Sequence, residues 1–199
     1  FHGAGPSVQE AGRLIGGSAL ELAQLARSPR PMEASIGVAT LNALLPAPQQ
    51  PWQEGNAEEV LARTGAGKNV ALVGHFPFVD SLRPRVGKLW VLELQPHGDD
   101  LPAEAAPQVI PQADVLALTA MTLINGTFDG LMALRRPDAR VMVLGPSAPL
   151  SPALFDAGVH LISGSVVERI DAVLAAVSQG AGFRQVHRAG VRLITLARA

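Results

Sequence analysis

The sequence predicts an α/β fold of the Rossmann-like type, with a mostly parallel sheet and helices on both faces. Two observations lead to this fold class. From residue 69 onward, short runs rich in Val, Leu and Ile alternate with segments of helical periodicity, as in sheets with crossover helices. The chain is also 48% hydrophobic and only 17% charged, which suits strands that are buried on both faces.

Strand and helix segments can be assigned along this second part of the chain. Segments with the composition and length of strands are 70–73, 89–94, 114–119, 140–144, 159–162 and 191–196. Helical patterns lie near 120–135 and 166–178, with shorter ones near 77–83, 102–108 and 151–157. The final strand follows glycine-rich residues, and we expect it to run antiparallel at an edge of the sheet.

The first sixty residues are expected to be mainly helical. Ser18 and Glu21 have the spacing of a helix cap and open an apolar pattern. Pro31 stands at a helix start, before the periodic segment 32–45. Asn56 can cap a further short helix.

A proline-rich connector separates these helices from the rest of the chain. Pro46–Pro51 contains three prolines among small and polar residues and is expected to be exposed. We predict an N-terminal helical or α+β domain over residues 1–64 and a Rossmann-like domain over residues 65–199. Because the chain begins with Phe1 rather than Met, we expect the N-terminal domain to be incomplete.

Composition excludes several kinds of site. The chain has no cysteine, so a metal would be held by His, Asp, Glu, carbonyl groups or water. The formal net charge is −1 and no long basic run occurs, which argues against nucleic-acid binding. No apolar run approaches the roughly 18 residues of a membrane span, so no membrane partner is expected. Without a secretory signal pattern, cytoplasmic localisation is the default.

The most informative stretch is 69–79, N-V-A-L-V-G-H-F-P-F-V, where an apolar run ends in glycine and histidine. Residues just past the carboxyl end of a strand line the ligand crevice of an open α/β sheet. Gly74 is therefore a candidate binding residue and His75 a candidate metal ligand. Alternatively, His75 caps a helix or packs in the core. Phe76 and Pro77 replace the small residues of a dinucleotide-binding turn, which argues against an ordinary dinucleotide site.

A carboxylate ends the second predicted strand, and a loop containing Gly-Asp-Asp follows it. Glu93 comes about 20 residues after the glycine of the first strand end, the spacing of a carboxylate that accepts from a ribose hydroxyl. Glu93 could also ligate a cation beside His75, with Asp99 as a further ligand, since imidazole and carboxylate suit Fe, Mn, Co, Ni or Zn. For His97 and Asp100 we favour a solvated turn.

Polar loops follow two further predicted strands. Asn125 and Thr127 precede a helix whose free N–H groups could form an anion site, or they simply cap that helix in a tight turn. Gly145 and Ser147 begin a loop stiffened by prolines. Such a loop can present Ser147 and backbone groups to a ligand at little entropic cost, or can serve only as a connection.

Together, these strings resemble a family of bacterial and archaeal proteins described as heavy-metal chelation domains. The resemblance spans about residues 32–165, and several motifs occur in the same order, which makes it specific. The matching segments are M-E-A-S-I-G-V-A-T-L-N-A (32–43), V-G-H-F-P-F (73–78), L-E-L-Q-P-H-G-D (92–99), I-P-Q-A-D-V (110–115), L-I-N-G-T (123–127) and L-G-P-S-A-P-L-S-P (144–152).

The resemblance implies a Rossmann-like C-terminal domain and a smaller N-terminal domain similar to the N-terminal fold of enolase, with a site between them. On this basis Glu33 and Asn42 are expected to face the cleft and bind the ligand. The chain departs from the family pattern at its front, because the strands of the small domain are hard to find before residue 31.

Three functions are compatible with these residues. The leading interpretation is binding of a divalent transition metal, or of a metal-bearing small ligand, with His75, Glu93 and Asp99 as metal ligands. The second is an enzyme acting on a nucleotide-like or S-adenosyl ligand, with Glu93 on the ribose and His75 as general acid or base. The third is an assembly module with a large apolar interface. The first two imply a small ligand or metal ion as partner, and a homo-oligomer is compatible with all three.

Overall fold

The computed structural model of the protein describes residues 8–198, in which strands and helices alternate along most of the chain. The strands are β1 (Trp52–Glu54), β2 (Asn69–Val73), β3 (Lys88–Glu93), β4 (Leu101–Pro102), β5 (Val115–Thr119), β6 (Arg140–Leu144), β7 (Leu161–Val167) and β8 (Val191–Ala197). The helices are α1 (Ala19–Gln24), α2 (Pro31–Leu44), α3 (Ala57–Gly65), α4 (Val79–Leu82), α5 (Ala106–Val109), α6 (Met121–Ile124), α7 (Phe128–Ala133), α8 (Pro152–Asp156), α9 (Ile170–Ser178) and α10 (Phe183–Gly190).

One sheet contains all of these strands, in the order β1-β8-β7-β6-β5-β2-β3-β4. Strands β2 to β7 pair in parallel, whereas β8 runs antiparallel to both β7 and β1. After β4 the chain returns across the sheet to place β5 on the other side of β2. The carboxyl ends of β2 and β5 therefore flank the topological switch point, where open α/β sheets bind ligands.

Successive residues of each central strand enter opposite cores, as a pleated strand requires. In β2, Ala71 packs in one core, whereas Val70 and Leu72 pack in the other. Helices α5, α7 and α8 cover the first face, and α3 and α4 cover the second. Burial on both faces explains why these strands are continuous apolar runs.

The N-terminal helices pack on one another and reach the carboxyl edge of the sheet through α2. Gly37 of α2 lies so close to the turn Leu25–Arg27 that a Cβ atom would overlap the backbone of Ala26. Ala34 and Val38 bury the other contact surface of α2 against Ile124 of α6. A glycine is thus required where α2 crosses the preceding turn.

The predicted α/β fold with a mostly parallel sheet is confirmed. The predicted strands occur with small shifts at their ends, but β7 continues to Val167 because β8 pairs along its whole length. Strand β8 is antiparallel as expected, but it is not an edge strand, because β1 pairs with its outer side. Strands β1 and β4 and helix α10 were not predicted. The two strands are very short, and α10 has only 8 residues between glycine-rich segments.

Two local predictions differ from the structure in an informative way. The helix expected over 120–135 is divided into α6 and α7 by a turn at Gly126, whose φ of 72° favours glycine. Asn56 caps α3 as expected, accepting a hydrogen bond from the Glu58 N–H at 3.2 Å. Within the described chain, the Ser18 side chain makes no such bond to α1.

Helix α3 and strand β1 belong structurally with the sheet. Strand β1 pairs with β8, and α3 contributes Val60 and Leu61 to the second core. A division between residues 64 and 65 therefore separates both elements from the sheet on which they pack. Residues 8–51 of the described chain contain helices and turns but no strand. No helix in residues 8–198 is both long and apolar enough to cross a membrane.

Replacement of Gly37 by alanine tests the close contact of α2. We expect Gly37→Ala to lower the free energy of unfolding by about 1–3 kcal/mol, because the new methyl group overlaps backbone atoms. Gly130→Ala in α7 is the matched control: a Cβ there meets nothing within 4 Å. It should instead raise stability by about 0.5–1 kcal/mol through helix propensity. Urea unfolding of both variants measures the two effects, and shifts of the same sign would contradict the packing described.

Candidate functional site

A cleft of about 640 Å³ lies at the carboxyl ends of β2 and β3. Its lining residues come from the turn after β2 and from the strand end and loop of β3. They are His75, Glu93, Leu94, Gln95 and His97. The cleft is thus on the edge of the sheet that the strand-end argument selected, beside the switch point.

Gly74 lets the ends of β2 and β5 approach closely. Its φ is 99°, and a Cβ atom would lie 3.1 Å from the Thr119 side chain at the end of β5. Its N–H donates to the Leu92 carbonyl of β3 at 2.8 Å. The glycine turns the chain at once after β2, so His75 is placed over the end of β3.

Glu93 fixes the position of this turn. One carboxylate oxygen accepts from the His75 backbone N–H at 2.8 Å, and the other accepts from the Leu94 N–H at 2.7 Å. Hydrogen bonds from backbone N–H groups to a charged carboxylate are stronger than neutral ones. The carboxylate therefore holds the ends of β2 and β3 in a fixed relation.

Asp100 orients the His75 ring. The imidazole Nδ1 lies 2.8 Å from an Asp100 carboxylate oxygen, which also accepts from the His97 backbone N–H at 3.1 Å. A carboxylate can only accept, so the neutral ring carries its proton on Nδ1 and a lone pair on Nε2. The Asp100 side chain is only 2% exposed, whereas that of His75 is 42% exposed. The free nitrogen of His75 is thus available to a ligand.

His97 and Asp99 lie on the same loop, but their side chains are differently placed. The His75 and His97 rings meet edge to face, with their centroids 6.4 Å apart. Asp99 is exposed, and among the described residues its side chain makes no hydrogen bond or ion pair. Across residues 8–198, no group of three or more His, Asp or Glu side chains is placed to hold a metal ion by itself.

Asn42 connects α2 to the loop after β6. Its side-chain nitrogen donates to the Ser147 carbonyl at 2.8 Å, while its side-chain oxygen is buried without a partner in the described chain. Gly145 starts this loop with a φ of 132° and donates to the Ser163 carbonyl at 3.1 Å. The structure therefore brings Asn42, Gly145 and Ser147 together.

Asn125 and Thr127 satisfy each other in a tight turn. The Asn125 side-chain oxygen accepts from the Thr127 hydroxyl at 2.7 Å and from its N–H at 3.2 Å. Both residues are exposed. Helix α7, which follows, has only 6 residues, so its free N–H groups make a weak anion site.

Glu33 lies in a different place from His75. It lines a second cavity of about 250 Å³, formed with α1 and residues that precede it. Hydrogen bonds from the Ser28 hydroxyl and from the Gln9 backbone N–H, with a further contribution from Arg30, lower the pKa of the Glu33 carboxyl below its ordinary value. In this structure Glu33 anchors the N-terminal segment to the start of α2.

Some residues of the cleft were predicted from the sequence, and others were not. His75, Glu93 and Gly74 come together as the strand-end argument expected. Asp100 and His97, which we assigned to a solvated turn, are the residues in contact with His75. The turn itself is present, since the Asp100 N–H donates to the His97 carbonyl at 3.1 Å, and it directs the Asp100 side chain inward.

Strand order and cleft together define a Rossmann-like α/β protein with a polar crevice at the carboxyl edge of its sheet. Two family models match the chain: DUF364 over residues 56–195 and DUF4213 over residues 2–45. Both carry the description "Putative heavy-metal chelation". The first match extends over more than half of the sequence, and the chain belongs to this family.

The solved structures that are similar to this chain include two from the DUF364 family. A DUF364-family protein of unknown function from Desulfitobacterium hafniense is 28% identical, with a TM-score of 0.83, over 93% of this chain and 77% of that one. Another, from Pyrococcus horikoshii, is 19% identical, with a TM-score of 0.81, over 96% of this chain and 80% of that one. At the lower identity the likeness concerns the fold alone. No curated protein matches the chain.

Glu93→Gln tests the carboxylate that joins the strand ends. We expect a loss of about 1–2 kcal/mol in unfolding free energy, because the amide nitrogen cannot accept from one of the two backbone N–H groups. The His75 and Leu94 amides should also exchange hydrogen faster, measured by NMR. The exposed Glu104, changed to Gln, is the control and should leave both amides unaffected. Unaltered exchange of these amides in Glu93→Gln would contradict the role of Glu93 in holding the ends of β2 and β3 together.

The lowered pKa of Glu33 predicts a dependence on pH. Since the folded-state pKa is below the unfolded one, the stabilisation is complete above the ordinary pKa and is lost as pH falls through the lowered value. The difference in stability between the wild type and Glu33→Gln should therefore be constant near neutral pH and shrink below about pH 4. Chemical denaturation over the acid range measures it. A difference that does not shrink would show that the carboxylate charge contributes nothing.

Proposed function

We propose that the protein binds a transition metal, carried by a small ligand, in the cleft at the ends of β2 and β3. His75 is the proposed nitrogen ligand. The pairing of its Nδ1 with Asp100 carries this proposal, because metal-binding histidines characteristically donate their second ring N–H to a carboxylate or carbonyl. The pairing leaves Nε2 without a partner among the described residues, on a side chain that is 42% exposed and lines the cleft.

The charge of the cleft favours a cation. Its lining residues include two histidines and one carboxylate but no lysine or arginine. Asp99 and Asp100 add carboxylates on the same loop. Without a thiolate in the chain, the donors are imidazole and carboxylate, which suit Fe, Mn, Co, Ni or Zn. A phosphate-bearing ligand would find no lysine or arginine among the lining residues.

The incomplete set of protein donors favours a metal complex over a bare ion. No preformed group of three His, Asp or Glu ligands occurs in residues 8–198, so water or a small chelator would fill the remaining positions. The volume of about 640 Å³ is in the range of small-molecule sites. The family description, heavy-metal chelation, agrees with this interpretation.

Oxygen ligands and positioning groups complete the proposal. Glu93 keeps lone pairs free after its two backbone hydrogen bonds, and Asp99 is exposed beside His97, so both remain proposed oxygen ligands. Groups farther along the sheet edge and on α2 would hold the organic part of the ligand. They are Gly74, Asn125, Thr127, Gly145, Ser147 and Asn42. Glu33 lines the second cavity, so it would act on this site only by anchoring the start of α2.

A second function is an enzyme that acts on a nucleotide-like or S-adenosyl ligand. The specific observation in its favour is the same histidine–carboxylate pair, since an oriented imidazole is also a general base. The His75–Asp100 pair lies beside the switch point, where Rossmann-like folds bind nucleosides. Against it, Phe76 and Pro77 stand where a dinucleotide-binding turn has small residues.

Metal titration of the purified protein tests the proposal. Protein without added chelator is titrated with Ni²⁺, Co²⁺ and Zn²⁺, alone and with a small bidentate chelator, using calorimetry. We expect binding that strengthens with the chelator and is lost in His75→Ala. Asp100→Asn should weaken it by roughly 10–100-fold, the usual effect of removing a residue that orients a metal ligand.

Asp99→Asn separates the two roles proposed for this loop, a metal ligand at Asp99 and an orienting residue at Asp100. Glu104→Gln, at an exposed position outside the cleft lining, is the control and should leave binding unchanged. The two aspartates are adjacent, but only Asp100 contacts His75. If Asp99→Asn abolishes binding and Asp100→Asn does not, Asp99 is the ligand and the orienting role is refuted. Unchanged binding in His75→Ala refutes the metal site. Thermal stabilisation by nucleosides or S-adenosylmethionine in the absence of metal would support the enzyme instead.

A further inference from the structure

Helices α9 and α10 form a hairpin that is well defined by its own sequence. Helix α9 ends in a Schellman motif at Gly180, with Ala181 donating to the Ala176 carbonyl at 3.0 Å and Gly180 to that of Val177 at 3.0 Å. Helix α10 begins with a capping interaction in which Gln185 accepts from the Gly182 N–H at 2.9 Å. Both helices therefore have clear ends.

The base of the hairpin is fixed to the sheet. The Gly190 carbonyl accepts from the Glu168 N–H at 2.8 Å and from the Arg169 N–H at 3.3 Å. Arg169 also donates from its guanidinium to the Arg188 carbonyl at 2.9 Å. Gly190 has a φ of 149°, and a Cβ there would lie 2.5 Å from that of Arg169. The two chain segments are thus held tightly where they leave β7 and enter β8.

The hairpin nevertheless buries none of its residues. All residues of α9 except Asp171 and Ser178 are apolar, yet Ile170, Leu174 and Val177 are 64%, 61% and 56% exposed. Helices that are apolar on every side are normally buried. The internal core of this chain therefore does not account for the sequence of α9.

The large exposed apolar side chains of the hairpin and its base, which we call the seam, include a row along one face of α9. Ile170, Leu174 and Val177 are spaced by four and three residues, so they lie on one face of α9, as do the contact positions of a coiled coil. Val167, before α9, and Phe183, after it, are also large, apolar and exposed. We infer that this seam is a dimer interface, on which α9 and α10 of a second copy of the chain pack around a two-fold axis.

The area of the seam matches what a dimer needs. If each of its five side chains exposes about half of roughly 150–200 Å², the patch offers on the order of 450 Å² of apolar surface. A standard interface buries about 800 Å² on each partner, of which about 65% is apolar in homodimers. The hairpin thus supplies most of the apolar surface for one half of such an interface. A patch of this size is comparable to the largest apolar patch on a typical monomer, which is often a functional surface.

Two helices from each copy give a four-helix arrangement. In an antiparallel pairing of α9 with its copy, the middle residue of the seam, Leu174, faces Leu174 of the other chain near the axis. A membrane surface fits α9 less well, because membrane-surface helices have a polar face rich in lysine and arginine, which α9 lacks. The arginines of the hairpin helices, Arg184 and Arg188, are on α10. A second copy is the better occupant.

Sedimentation velocity of the whole chain at micromolar concentration tests the interface. We expect a dimer for the wild type, and for Leu174→Glu a dissociation constant raised on the order of 100-fold, since each dimer carries the change twice. Leu20→Glu is the matched control, because Leu20 is a helical leucine on α1 that is 71% exposed. It should leave the dimer intact. Circular dichroism and thermal melting verify that both variants are folded.

Cross-linking gives a second test that does not depend on a disruptive change. The chain has no cysteine, so Leu174→Cys introduces a single reactive group. A short bifunctional maleimide should link two chains of Leu174→Cys but not of Leu20→Cys. A wild-type monomer, an unchanged dimer in Leu174→Glu, or equal cross-linking of both cysteine variants would each overturn the proposal. A monomer that floats with anionic vesicles would show that the seam binds membranes instead.

Discussion

The arrangement of the cleft depends on how the ends of β2 and β3 are joined. A single carboxylate, that of Glu93, accepts backbone hydrogen bonds from the residues that follow each strand. Gly74 makes this junction sterically feasible, because its missing side chain leaves room for Thr119 of β5. Once the junction is made, His75 has little freedom in its backbone. Its ring then needs only one further partner, and Asp100 provides it.

Sequence reasoning located the strand ends because their physical signals are local. An apolar run that ends in Gly-His is visible within a few residues. The geometry of parallel sheets then places these residues at the edge where ligands bind. The contact between His75 and Asp100 could not be predicted in this way. The two residues are 25 positions apart, and the direction of the Asp100 side chain depends on the turn that starts at His97. Asp99 and Asp100 are neighbours in the sequence, but only the Asp100 side chain contacts His75.

The same distinction explains the errors in secondary structure. Buried strands have an apolar pattern that identifies them, whereas β1 is exposed throughout and β4 has only 2 residues. Their existence depends on partners far along the chain, β8 and β3. Helix α10 was missed because its 8 residues stand between glycine-rich segments that were interpreted as a connection to the last strand. Local propensity therefore defined the centre of the sheet better than its borders.

The separation between the cleft and the α9–α10 hairpin has a consequence for assembly. The cleft lies at β2 and β3, and the hairpin follows β7, three strands away from β2 in the sheet order. At about 4.8 Å per strand, the two surfaces are roughly 14 Å apart at the level of the sheet. Because β7 runs parallel to β2, both surfaces lie at the carboxyl edge of the sheet, and a partner at the hairpin would approach the cleft. A two-fold assembly through this surface would carry two clefts, and a polyvalent ligand could bind both with a gain in avidity.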